Sequence, residues 1–266
     1  MRYFIFTSLF LFGFALLEMG CNNSASEQTS TETETGDTLC AADFVTVPDS
    51  LAQSDSAKYA AFINAVNIPN GYNISNARVT HFIIPVSNID TLIKWKDEGK
   101  ILPNVNGDDS TWVMLALETD PKTSLQTITP YFACFSSLGN GKKGPVVYYS
   151  LLNPSKVLPI KANAAQSNML AMQKYIDAMP KGTLFYPYGF QLPWNDLVGL
   201  SCSLQGDQPN NNLNGVLVIK DNKEVDYYLH SFYARKFTKL SKKRPDDDGD
   251  GEYFDFTSPC PTSCIP

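Results

Sequence analysis

Positive charge is scarce in this sequence. Its 21 Lys and Arg against 27 Asp and Glu give a formal net charge of −6 and a pI near 4.9. Nucleic-acid binding needs a clustered basic footprint, so no nucleic-acid partner is expected. Histidine occurs only at His81 and His230, too few for a three-histidine metal centre. Catalytic signatures are missing as well. Gly199-Leu-Ser-Cys-Ser203 fails as a nucleophile elbow at its last position, and no His-Glu-x-x-His, Walker or Gly-x-Gly-x-x-Gly pattern occurs. Both histidines sit in strand-like apolar runs and read as structural. A nucleophile–histidine pair assembled in space stays open. Beyond the N-terminus no apolar run reaches the 18 or so residues of a membrane-spanning helix, so a soluble domain is expected.

What is present begins with an address. Arg2 precedes an apolar run from Tyr3 to Leu17, interrupted only by Thr7, Ser8 and Gly13. That length suits a secretory signal and is short of the roughly 20 residues that span a bilayer. Gly20-Cys21 closes the segment and resembles the lipobox of bacterial lipoproteins. The resemblance implies that Cys21 is diacylated and becomes the first mature residue. One departure is Glu18, where the family prefers Leu, with Leu17 one step earlier. Ordinary cleavage leaving a free Cys21 is the alternative. Asn22 to Leu39 is rich in Ser, Thr, Asn and Gln, carries Glu27, Glu32, Glu34 and Asp37, and has no basic residue. Such a stretch cannot offset its chain entropy by burial and reads as a tether. The expected division is a signal peptide over 1–20, a tether over 21–50 and one domain over 51–266.

Without Cys21 the chain keeps Cys40, Cys134, Cys202, Cys260 and Cys264. The number is odd, so at least one is unpaired or bonded between molecules. Cys260 and Cys264 form a close pair that export would permit to oxidise, most simply as a clasp. A redox role would need a thiolate-stabilising environment. Cys134 sits in the apolar run Tyr131-Phe-Ala-Cys-Phe135 and is expected to be buried and inert.

A self-comparison suggests one motif used twice. Residues 80–93 and 186–199 both pass from an apolar stretch into a short helical pattern. An offset of 106 sets Phe82 on Tyr188, Ile84 on Phe190 and Asp90 on Asp196. Helices are expected before each, over 55–66 with Asp55 or Ser56 as N-cap and over 163–178 with Asn163 as cap. Strands are expected over 112–117, 144–152, 215–220, 225–240 and 252–258. The fold class read from this is α+β, mainly antiparallel sheet with a few helices and a candidate duplication of a helix-strand-helix-strand unit, with repeats over 51–155 and 160–245 and a C-terminal hairpin over 235–266. Two such halves would pack as a pseudo-twofold pair, with any groove at their junction.

The acidic turn Asp246-Asp-Asp-Gly-Asp-Gly-Glu252 is the best metal candidate. Asp246, Asp248 and Asp250 with Gly251 match the first half of a calcium loop, and Glu252 adds a further carboxylate. The second half fails, since Thr257 stands where a bidentate acid belongs. A solvated hairpin turn balanced by the six bases between Arg235 and Arg244 explains the same residues. No other cofactor is suggested. Aromatics make up 12% of the chain. Tyr186, Tyr188 and Trp194, amphipathic and close to prolines, are expected at a surface as a candidate ligand platform.

The anchor signal, the two units and the ending Phe254-Asp-Phe-Thr-Ser-Pro-Cys-Pro-Thr-Ser-Cys264 together resemble Bacteroidota-type envelope lipoproteins that end in Cys-Pro-x-x-Cys. The resemblance covers residues 1–21 and 254–264 well and the rest loosely. It implies a lipid-anchored place in the bacterial cell envelope, at the outer membrane, and brings no activity. It also gives meaning to Asp-Ser/Thr-apolar triplets at Asp37, Asp49, Asp55 and Asp90, which such bacteria O-glycosylate. The reading is therefore a membrane-anchored, non-enzymatic module that binds a protein or glycan partner. The alternative is a thiol redox protein using Cys260 and Cys264, or a hydrolase with an unrecognised site.

Overall fold

A computed structural model describes residues 46–103, 110–204, 212–231, 252–254 and 258–259, with backbone alone described at Thr46, 202–204, 230–231, 252–254 and 258–259. The candidate residues Cys21, Asp246, Asp248, Asp250, Cys260 and Cys264 lie outside these residues, as do Cys40 and the tether before Thr46. The chain runs β1 (Thr46–Val47), α1 (Asp49–Ala65), β2 (His81–Pro85), α2 (Val86–Asp97), β3 (Ile101–Leu102), β4 (Ser110–Thr119), β5 (Gln126–Ser137) and β6 (Lys143–Ser150). It continues β7 (Leu158–Ile160), α3 (Ala162–Ala178), β8 (Gly189–Pro193), α4 (Trp194–Leu204), β9 (Asn212–Ile219), β10 (Val225–Ser231), β11 (Glu252–Phe254) and β12 (Ser258–Pro259). The class is α+β with antiparallel sheet. β1 already pairs with β11, so the sheet begins inside the stretch read as tether.

Two sheets form, ordered β1-β11-β10-β9-β2 and β12-β8-β4-β5-β6-β7, with β3 paired to β5. β4 and β9 are continuous apolar runs because both of their faces are covered. Along β4, Val113, Leu115 and Leu117 join the large shared core, while Trp112, Met114 and Ala116 face Ala165 and Met169 of α3. Along β9, Leu213 and Leu217 enter the same large core, and Val216 and Val218 face Ala52 of α1.

The element order of the first half recurs in the second, and so do the registers. α1 and α3 each have 17 residues. β2 and β8 begin at His81 and Gly189, an offset of 108 rather than the expected 106. That offset superposes Phe82 on Phe190, Ile84 on Leu192, Pro85 on Pro193 and Leu92 on Leu200, all of them buried except the half-buried Pro193. Asp196 then corresponds to Asn88, not Asp90. The offset of 106 aligns the two aspartates, whereas that of 108 aligns the core positions and the helix-opening prolines. The elements also exchange. β2 pairs with β9 and α1 packs on β9, while β8 pairs with β4 and α3 packs on β4. Each sheet thus takes its edge strand and outer helix from one half and its central hairpin from the other.

Equivalent side-chain bonds accompany the equivalent backbone. Asn168 Nδ2 of α3 donates to Tyr131 Oη of β5 at 2.8 Å. At the matching place, Tyr228 Oη of β10 donates to Asp55 Oδ2 of α1 at 3.2 Å. Asp55 is therefore a buried mid-helix residue, not the N-cap. α1 begins six residues earlier, after Pro48, and Asn163 is likewise inside α3, which opens after Lys161. The negative charge at Asp55 is met by Lys58 Nζ at 2.9 Å. β5 was not among the expected strands. Pro130 breaks the pattern there, and it is tolerated because β6 pairs only from Tyr131 onward, leaving Pro130 on an edge.

Candidate functional site

Several ionisable groups in the described residues are held in side-chain pairs. Lys58 bridges Asp55 and Asp221, at 2.9 and 2.6 Å, and these bonds, Asp221's first, raise its pKa. The fully buried Asp226 is paired with Lys220 and accepts the Tyr227 N–H at 2.8 Å. Ser201 of α4 donates to Asp90 of α2, joining the two helices at the junction of the halves. Burial raises the pKa of Asp196. Cys134 is buried, as expected, and burial pushes its thiol up to about 12, which leaves almost no thiolate for chemistry at neutral pH. No group of three His, Cys, Asp or Glu side chains converges among the described residues. Glu252, the one residue of the candidate calcium loop inside them, starts β11 opposite Ser231.

The expected aromatic platform is not assembled. Trp194 is fully buried, because it opens α4 at the position that Val86 holds in α2, facing the core. Its ring lies edge-on to Phe132 at 6.4 Å, with Lys96 Nζ at 5.7 Å. Tyr186 is also buried. Its hydroxyl meets that of Tyr59 at 2.7 Å, and burial raises both phenols far above their usual pKa. Of the nearby prolines, Pro187 leads into β8 and Pro193 ends it at the start of α4. Tyr188 alone keeps partial exposure, with its hydroxyl donated to Asp177 Oδ1 at 3.0 Å. Of the triplets, Asp49-Ser50-Leu51 forms the first turn of α1, Asp55-Ser56-Ala57 lies mid-helix, and Thr91 donates to the Ser87 carbonyl inside α2 at 2.7 Å.

The strand edges offer a different kind of site. An exposed edge presents unpaired N–H and C=O groups, and proteins usually cover them. This chain covers two with care. The free edge at the start of β5 is closed by residues 73–76. Asn76 accepts the Ile128 N–H at 2.7 Å and donates to the Ile128 carbonyl at 2.8 Å. Ser75 and Asn73 exchange backbone bonds with Gln126, each 2.8 Å. The outer edge of β8 is closed by β12, with Ser258 opposite Gln191 and Pro259 opposite Phe190.

β2, the counterpart of β8, ends its sheet with no further strand among the described residues. Leu217 N–H donates to the Thr80 carbonyl at 2.9 Å, as Leu115 N–H does to Tyr188 at 3.0 Å in the other sheet. Backbone groups alternate sides along an antiparallel strand. Phe82 and Ile84 therefore face β9, and His81, Ile83 and Pro85 face outward. His81 is exposed, with its Nδ1 3.3 Å from Thr80 Oγ1. Ile83 is 52% exposed in mid-strand. No family model, curated protein or solved structure matches the chain. The β2 edge is the feature of the described surface best suited to recognition. Sequence reasoning missed it. Its only written signals are His81 and Pro85, a polar residue and an N–H-less residue at alternate positions of an apolar strand.

Proposed function

We propose that the chain is a lipid-anchored lipoprotein of the bacterial cell envelope that acts without catalysis, as a module binding a protein partner. The N-terminal run ending in Gly20-Cys21 supports the anchor. The β2 edge, unpaired among the described residues and bearing the half-exposed Ile83, carries the binding reading, since an unpaired strand edge recognises backbone, which every protein partner has. The burial of Tyr186 and Trp194 weighs against a glycan as the partner. The acidic turn from Asp246 to Glu252 is proposed to hold calcium only as a stiffener of the C-terminal hairpin.

The test is intact mass of the protein purified from its native membrane, with and without reductant and alkylation. Diacylglycerol on Cys21, with Cys260 and Cys264 protected from alkylation until reduced, is the expected result. Absence of lipid together with immediate labelling of Cys260 and Cys264 overturns the reading and moves the thiol pair to the front.

A further inference from the structure

The correspondence of β2 with β8 says more about the β2 edge than its exposure does. The two strands share the pattern Phe-x-aliphatic-Pro at Phe82 to Pro85 and Phe190 to Pro193, and both lead straight into a helix. Both pair antiparallel with a central strand in matching register, Phe82 with Gly215 and Phe190 with Val113. β8 accepts a further extended segment through Gln191, the counterpart of Ile83. The fold therefore already seats a short antiparallel strand at this edge in one sheet.

We infer that β2 is a β-augmentation site, at which an uncharged, apolar, extended segment of another protein adds antiparallel to the sheet with its central residue opposite Ile83. This rests on the binding reading above and names the partner's form. Directly opposed residues in an antiparallel pair share a face. The central residue therefore covers the exposed Ile83 side chain, and an aliphatic residue suits it. Its two neighbours lie on the other face beside Phe82 and Ile84, as Pro259 lies opposite Phe190, so they are apolar too. Gln191 faces a serine at the same place; the change from Gln to half-exposed Ile is what shifts the preference from polar to apolar.

A second copy of this chain suits the edge less well. Self-pairing about Ile83 sets each Pro85 opposite the other molecule's His81, and proline has no N–H to donate. The ladder then loses a bond at both ends, whereas a foreign strand loses it at one.

The probe is the peptide acetyl-Lys-Thr-Val-Ile-Val-Thr-Lys-amide, titrated into the full mature chain and followed by NMR and amide exchange. Binding is expected to slow exchange at the Ile83 amide at least about tenfold and to leave the Phe82 amide, already turned toward β9, unchanged. N-methylation of the central Ile, which removes the N–H aimed at the Ile83 carbonyl, is expected to weaken binding about tenfold. N-methylation of either Val, whose N–H points away, leaves binding within twofold. Ile83→Lys in the protein abolishes binding while its thermal unfolding stays cooperative. The inference is overturned by no binding at about 1 mM peptide, by indifference to N-methylation of the central Ile, or by retention of affinity in Ile83→Lys. Any of these leaves the lipid and thiol results untouched, so failure of the edge and failure of the lipoprotein reading are read separately.

Discussion

Gly215 offers the sharpest test of the core. It lies in β9 between Phe82 of β2 and Leu229 of β10. A methyl group built there would stand 1.4 Å from Tyr227 Oη and 2.0 Å from its Cζ. The ring cannot withdraw easily. Tyr227 is fully buried and stacks on Phe190, centroids 5.3 Å apart and planes at 23°. At the matching places of the other half the bulk is reversed, with Val113 for Gly215 and Pro130 for Tyr227. Gly215→Ala therefore forces either overpacking, at about 1–3 kcal/mol, or eviction of the phenol, approaching the roughly 3–5 kcal/mol of a large-to-small aromatic change. A loss of about 3 kcal/mol is expected, or roughly 6–12 °C in Tm for a domain of this size. Urea unfolding of the full mature chain, followed by circular dichroism, measures it. Tyr227→Leu removes the clashing atoms, so in that background Gly215→Ala should cost at least about 1 kcal/mol less than alone. A Gly215→Ala variant within about 0.5 kcal/mol of the parent, or strict additivity in the double variant, refutes the reasoning.

Two further expectations concern the edge cap and the buried phenols. Asn76→Ala removes both bonds to the Ile128 backbone. It should lower stability by about 1–3 kcal/mol and expose the Ile128 amide, so amide exchange at Ile128 that stays at the parental rate would contradict the capping role. Burial raises the pKa of Tyr59, Tyr131, Tyr186 and Tyr227, and lifts Tyr149 to about 12. In the unfolded chain these groups ionise near pH 10. The folded state then holds protons that the unfolded state has released. Their stabilising contribution is complete below about pH 10 and falls as pH rises beyond it, by about 1.4 kcal/mol per pH unit for each tyrosine. Absorbance at 295 nm should rise in two steps, the later one coinciding with loss of the circular dichroism signal. A single tyrosine titration near pH 10 in a still-folded protein would contradict the burial.

Local pattern carried the elements and tertiary context decided the rest. The apolar run over 112–117 is the centre of β4 and that over 215–220 covers the second half of β9, because strands covered on both faces have no polar alternation to lose. The helix read over 163–178 matches α3 to within a residue. The helix read over 55–66 began too late, because Asp55 looks like a cap and is instead held inside the helix by Tyr228 and Lys58. Trp194 and Tyr186 were read outward from their prolines. Pro193 is the last residue of β8, and the residue after it is turned into the core by the helix it starts. The exchange between halves, β2 with β9 and β8 with β4, was illegible, since those pairings join residues roughly 75 to 135 positions apart. The candidate site was faint for the same reason: His81 and Pro85 are compatible with an edge, but that β2 ends its sheet follows only from its pairing with distant β9.

The exchange of elements bears on how the site is held. Among the described residues β2 pairs with β9 and packs on α2, and β9 belongs to the other half. Phe82 and Ile84 anchor its inner face in the large shared core, to which both halves contribute. The strand is therefore fixed along its length while its outer edge is unpaired among the described residues, and a fixed edge loses little entropy on receiving a partner strand. The ordering cost of the proposed pairing then falls on the incoming segment. A single mid-strand isoleucine, rather than a long apolar edge, keeps the same surface from templating aggregation, and Pro85 stops the ladder at the helix. An edge that is short, rigid and closed at one end by proline fits occasional recognition of one strand better than growth of a sheet.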